Sequence, residues 1–204
     1  MKPKITLGSM SVFLLATVLM FAGCASHSYI PVRYQLPLAS GQLAGQTVSL
    51  TFKDLRGGSS FLSESAEKSF KDFSGLFSLY LVEGSESEKL LGAYDVAALF
   101  TEAFSRRLQR MGVAVARETA GGPAVELGLK AFSLDYQGRK WIMTVGFQVR
   151  LSTAEGRTVT ESISSSGERM KIVGKGDAQK FLSEMFSESL NKFDVYKLFR
   201  QAGL

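Results

Sequence analysis

Alternation of apolar and polar positions is clearest between residues 141 and 151. Trp141, Met143, Val145, Phe147, Val149 and Leu151 fall on one parity, with Thr144, Gln148 and Arg150 on the other. A period of two held over that length predicts a half-buried strand. Residues 125–136 read as its hairpin partner, but the apolar phase changes: Leu127, Leu129 and Ala131 share one parity, while Phe132, Leu134 and Tyr136 share the other. Such a change predicts a bulge or an exchange of faces near Ala131. After the turn Ala154-Glu155-Gly156-Arg157, a strand polar in its middle runs from about Thr158 to Ile172, so the three strands form an antiparallel meander with short connections. Further strands are predicted over 47–52, where Val48, Leu50 and Phe52 alternate, over 76–82 and over 113–116.

A period of 3.6 replaces the period of two after Asp95. Val96, Leu99, Phe100, Ala103, Phe104, Leu108 and Met111 form one stripe, Glu102, Arg106, Gln109 and Arg110 lie opposite, and Gly112 supplies a stop. Asp95 is the expected N-cap of this helix. Asp177 is expected to cap a second helix carrying Phe181, Leu182, Met185, Phe186 and Leu190, and Asp194 a third carrying Val195, Leu198 and Phe199. Strands joined to helices with apolar stripes predict an α+β fold, with a mostly antiparallel sheet and two or three helices packed on one face. The serine-rich stretch 59–74 is ambiguous between a loop and a short helix.

The first residues follow neither pattern. Met1-Lys2-Pro3-Lys4 precedes an uncharged apolar run from Ile5 to Ala22 and then Gly23-Cys24-Ala25-Ser26. A basic start, an apolar core marginal for spanning a bilayer and small residues at a cut site predict a removable secretory signal. Phe21-Ala22-Gly23-Cys24 resembles the lipobox of bacterial lipoproteins, which implies acylation of Cys24 and cleavage before it. Two or three acyl chains on one residue give the stable anchoring that one chain does not. By resemblance to lipoproteins of didermal bacteria, Ala25 in place of Asp implies the outer membrane. The expected organisation is a signal peptide over 1–23, a lipidated cysteine and tether over 24–45, and a single α+β domain over 46–204, with two of the four prolines in the tether.

Composition narrows the chemistry. Cleavage before Cys24 removes Lys2 and Lys4 and no acid, leaving 22 basic against 19 acidic side chains spread along the chain, so nucleic acid is not an expected partner. With one cysteine, the chain cannot form an intramolecular disulfide or a Cys-cluster metal site, and its one histidine, His27, on the expected tether beside the bilayer, lacks the shaped pocket and orienting partner that a Ser–His or Cys–His pair or a His-based zinc site needs. No cofactor is implied. The carboxylates Asp54, Asp135, Glu161 and Glu168 lie in or beside strands, where a hydrolytic pair would need facing side chains in a cleft. Gly174-Lys175-Gly176-Asp177 lacks both the third glycine of a dinucleotide fingerprint and a GxxxxGK[ST] motif.

Two features stand as candidate interaction residues. Asp54 and Arg56 follow the first predicted strand directly and read either as an exposed ion pair in a turn or as a partner-facing edge. Phe61, Phe70 and Phe73 read either as a loop docked on the core or as a membrane- or partner-contacting element.

The order of parts resembles the YajG-type family of small bacterial lipoproteins. The resemblance is carried by the lipobox, the run Phe52-Lys53-Asp54-Leu55-Arg56, the helix from Val96 to Arg110 leading into Met111-Gly112-Val113, the hairpin from Val125 to Leu151, the polar strand Thr158 to Gly167, and the closing helix ending near Asp194. It implies a periplasm-facing outer-membrane lipoprotein with an α+β domain and no catalytic residues. The stretch 59–75 is longer than that family leads one to expect. A weaker resemblance is to lipoproteins that assist lipopolysaccharide assembly. The functional expectation is a non-enzymatic binding or scaffold module with an envelope protein partner; the alternative is binding of a lipid or glycan in lipopolysaccharide or cell-wall assembly.

Overall fold

The computed structural model describes residues 28–58, 60–84, 87–116, 121–172 and 176–204. The strands are β1 (Ser28–Gln35), β2 (Thr47–Asp54), β3 (Phe73–Glu83), β4 (Ser87–Tyr94), β5 (Ala114–Ala116), β6 (Ala124–Gln137), β7 (Lys140–Ser152) and β8 (Thr158–Met170). The helices are α1 (Glu64–Glu67), α2 (Val96–Arg110), α3 (Gly176–Lys192) and α4 (Val195–Ala202). The signal segment 1–23, Cys24 and His27 lie outside the described residues.

The α+β class holds, and most of the strand pairing is antiparallel, but the strands form two mixed sheets where one sheet was expected. Their strand orders are β1-β3-β4 and β5-β2-β6-β7-β8. Among the described residues, the pairs β1–β3, β2–β5 and β2–β6 are parallel, and β3–β4, β6–β7 and β7–β8 are antiparallel. The predicted meander β6-β7-β8 is present. Its flank is parallel because the chain crosses from β2 through the small sheet and α2 before returning as β5 and β6.

One face of the large sheet is buried along Trp141, Met143, Val145, Phe147, Val149 and Leu151. The phase change in β6 is a bulge between Leu129 and Ala131, which keeps Leu127, Leu129, Phe132 and Leu134 all in the core. The long helices cover this same face. Phe100 of α2 meets Phe132 at 5.0 Å, and Phe193 after α3 meets Phe147 at 6.2 Å. The small sheet lies on the same side, joined through Phe77 and Phe132 at 5.7 Å.

The expected tether over 24–45 is corrected by β1. Ile30, Val32 and Tyr34 alternate into the core at 1%, 0% and 0% exposure, and Leu36 follows them. The folded domain therefore includes β1, Ser28–Gln35, ahead of residue 46. Pro31 masked the strand in the sequence, yet its missing donor falls where no sheet partner needs it. Arg33 and Gln35, at the same parity as Pro31, point their amides away from β3 and toward α3. There the helix supplies the partners a neighbouring strand would. Ser183 Oγ accepts from Arg33 N at 3.0 Å, and Ser187 Oγ accepts from Gln35 N and donates to Arg33 O, both at 3.0 Å. Asn191 Nδ2 donates to Gln35 O at 2.8 Å. An i, i+4, i+8 stripe thus closes a sheet edge that would otherwise be open.

The helix caps follow the sequence with one exception. Asp95 accepts from Ala98 N and Asp194 from Lys197 N, each at 2.8 Å. Asp177 lies inside the first turn of α3, and its Oδ2 accepts instead from Ile172 N at 2.9 Å. The end of α2 is closed from outside: Ser40 N donates to Arg110 O at 3.0 Å and Leu43 N to Met111 O at 2.8 Å. Gly112 adopts φ +92°, and a Cβ there would stand 2.9 Å from Ala44 N, so glycine is required twice over.

Candidate functional site

The site is built where β2 runs out. Beyond Asp54, β6 continues for about another half-length without β2 beside it, because β2 pairs only with residues 124–129. Asp54 locks the turn that follows: its Oδ1 accepts from Arg56 N and Nε, each at 3.0 Å, and its Oδ2 accepts from Arg56 Nη2 at 2.7 Å. This bidentate hydrogen bonding from Arg56 holds the Asp54 carboxyl below the usual carboxylate range. Gly57 and Gly58 then turn at φ +69° and +80°.

The chain returns to the same edge of β6 at Phe61. Leu134 N donates to Phe61 O at 2.7 Å, Ser63 N donates to Leu134 O at 3.1 Å, and Leu62 forms a parallel bridge with Leu134. The ambiguous stretch thus resolves into a one-bridge extension of the sheet followed by the single turn of α1, with Ser63 as N-cap. Asp135 fastens that turn to the sheet. Its Oδ1 accepts from Ser63 Oγ, from Ser65 Oγ at 2.9 Å and from Tyr136 N at 2.7 Å, and the Gln137 amide donates to its Oδ2. These hydrogen bonds, the one from Ser63 foremost, lower the Asp135 carboxyl below its ordinary value.

Phe61 and Phe70 dock on the core, each 6% exposed. Phe61 stacks on Phe132 at 4.7 Å and meets Phe77 edge-on at 5.0 Å; Phe70 meets Trp141 at 5.9 Å. Phe73 stays half-buried, 5.2 Å from Phe77 and 6.2 Å from Phe61. These three rings and Arg56 line one cavity of about 650 Å³, whose rim carries Glu64, Glu67, Lys68 and Lys71. Four of the five candidate residues are therefore brought together. Asp54 stands behind Arg56 and does not line the cavity. The rim lysines carry no signal in the sequence, because exposed charge beside a short helix is indistinguishable from an ordinary solvated face.

The four strand carboxylates each have separate partners. Asp54 is held by Arg56, Asp135 by the two serines, Glu161 by Lys197 and Glu168 by Lys140. Among the described residues no group of three or more His, Cys, Asp and Glu side chains is placed to hold a metal. The Gly174-Lys175 part of the glycine-rich turn lies outside the described residues.

Architecture and site together define an α+β domain of two mixed sheets, whose candidate site is an aromatic cavity beside the edge of the larger sheet. That fold is shared with XCC0632 of Xanthomonas campestris, a protein of family model DUF330, at TM-score 0.54 and 13% identity, over 86% of this chain and 96% of that one. Weaker similarity extends to the hypothetical protein CT253 of Chlamydia trachomatis (TM-score 0.43, 10% identity, 78% of this chain and 97% of that one). Rare lipoprotein B of Shewanella oneidensis is also similar (TM-score 0.39, 8% identity, 76% and 93%). No family model and no curated protein matches the sequence.

Proposed function

We propose that this chain is a non-enzymatic envelope lipoprotein, YajG-like in its order of parts, anchored through acylated Cys24 to the outer membrane and facing the periplasm. Its cavity at Phe61, Phe70 and Phe73, with Arg56 at the wall, receives an envelope protein partner. The observation that carries this reading is the position of the fold relative to the cysteine. The domain starts at Ser28, only four residues after Cys24, so an acyl group there holds the whole domain at a membrane surface. Support also comes from the candidate carboxylates, each occupied by structural partners rather than facing one another across a cleft.

The cavity itself favours a second reading. Its aromatic wall and volume suit the apolar part of a lipid, as expected of small-molecule sites.

Photocrosslinking from position 71, on the cavity rim, tests the first reading in intact cells. The expected result is one crosslinked envelope protein that is lost from the Phe73→Ala variant and absent when the crosslinker stands at position 196 on α4. Crosslinks to lipid alone favour the second reading. Equal products from both positions contradict the site.

A further inference from the structure

Several chain segments meet at the pole of the molecule from which residue 28 leads back to Cys24. Ser28 N donates to Asp72 O at 3.1 Å, and Phe70, two residues before Asp72, meets Trp141. Lys171 places its ammonium 5.4 Å from the Trp141 ring centroid and 4.7 Å from that of Tyr136, while its amide donates to Arg139 O at 2.9 Å. Ile172 is tied to the start of α3 through Asp177. The beginning of β1, the β6–β7 hairpin tip, the end of β8 and the start of α3 therefore share one end.

This end carries exposed apolar side chains that the fold does not use. Ile172 is 82% exposed, Met170 54% and Tyr29 44%. Scattered exposed apolar residues are ordinary. These three differ because they stand on segments that share the end from which residue 28 leads to the anchor. Covalent geometry limits residues 24 to 28 to about 14 Å at full extension. Lys68, Lys71, Arg139 and Lys171 stand at the same end, with Glu64, Glu67, Asp72 and Asp177, so among the described residues its charge balances and does not select an anionic surface.

We propose that this pole is a bilayer-contacting surface, in which Tyr29, Met170 and Ile172 enter the interfacial region of the membrane that holds Cys24. Tyrosine is enriched at that depth, and apolar side chains bury there while long basic ones extend back to water. The inference rests on the acylated Cys24 of the proposed function. It goes further by fixing how the domain sits: its cavity rim at Lys68 and Lys71 lies at the lipid boundary, and the opposite pole, with Leu38 beside the end of α2, points away.

Depth measurement on the full lipidated protein tests this. Acylation consumes the thiol of Cys24, so Ile172→Cys and Leu38→Cys each carry the only free thiol, at positions 82% and 94% exposed where folding is indifferent to a fluorophore. Each variant, labelled with an environment-sensitive dye, is reconstituted into phosphatidylethanolamine–phosphatidylglycerol vesicles containing acyl-chain nitroxide lipid. The expected result is blue-shifted, quenched emission at position 172 and unshifted, unquenched emission at position 38, with the contrast retained in molar salt. Equal emission from both labels, in protein that floats with the vesicles, overturns the inference and leaves the anchor standing. Shielding at 172 without vesicles, in protein sedimenting as a dimer, assigns the surface to a second copy and overturns it too. Protein without acyl groups overturns the anchor, and this orientation with it.

Discussion

Replacing Ser187 by alanine removes both an acceptor and a donor from the edge of β1, since its hydroxyl takes Gln35 N and gives to Arg33 O. Each backbone group orphaned in a site 7% exposed costs about 1–3 kcal/mol, and water entering the adjoining groove brings the pair to roughly 2–4 kcal/mol. Ser189, two residues on, is fully buried, and its Oγ has no hydrogen-bond partner among the described residues. Alanine there removes an unsatisfied hydroxyl and improves helix propensity, so it is neutral or stabilising by up to about 1 kcal/mol. Urea unfolding of the mature chain carrying Cys24→Ser, followed by far-UV circular dichroism, reads both. With m near 2 kcal/mol/M, the Ser187→Ala midpoint falls by about 1–2 M and the Ser189→Ala midpoint stays or rises. Equal losses for the two variants, or a Ser187→Ala loss below about 0.5 kcal/mol, would refute the edge-closing role of the serine stripe.

Gly112→Ala combines a positive φ with a 2.9 Å approach to Ala44 N, and is expected to cost at least about 2 kcal/mol in the same assay. Phe61→Ala deletes a ring touching Phe73, Phe77 and Phe132, and is expected to lower stability by about 3 kcal/mol or more, whereas half-buried Phe73→Ala loses less and keeps the fold while losing the crosslink. The Asp135 carboxyl is lowered in the folded state, so its contribution is complete above the ordinary carboxylate value of about 3.9 and is lost as the pH falls through the lower folded value. Asp135→Asn is therefore expected to be less stable than the parent at pH 6 and to flatten the loss of stability toward pH 3. A parallel pH profile for the two proteins contradicts that assignment.

The parts legible in the sequence were those in which one signal acts alone. β7 announced itself by six successive matches to a period of two, and α2 by a cap, a stripe and a terminal glycine. The bulge in β6 was legible because a face must be kept across an odd insertion, which leaves a phase change behind. What stayed hidden depended on partners distant in the chain. β1 alternates from Ile30 to Leu36, but Pro31 and proximity to the expected signal segment disguise it, and only α3, about 150 positions later, explains why its edge tolerates proline. β4 reads Ser-Glu-Lys-Leu-Leu-Gly-Ala-Tyr, an edge strand whose charges hide its period. Parallel pairing of β2 with β6 leaves no local trace, because direction is set by the crossover between them rather than by either strand.

The candidate site divided in the same way. The phenylalanines stand out by type, yet two of the three are docked core residues, and what makes them a site is the half of β6 beyond β2, to which their segment returns. Asp54 and Arg56 were visible as a charged pair following a strand. Their role as a turn lock needed the geometry, since sequence does not distinguish a side chain turned inward at 11% exposure from one facing a partner.

The central claim is that this domain is held to a membrane by Cys24, four residues before its first strand. Intact mass spectrometry of the protein extracted from envelope membranes tests it most directly. The account predicts a mature chain beginning at Cys24 and carrying diacylglycerol with or without an amide-linked acyl chain, and a Cys24→Ala variant that is neither acylated nor cleaved before residue 24. A wild-type chain with a free Cys24 thiol, or one retaining residues 1–23, would contradict it.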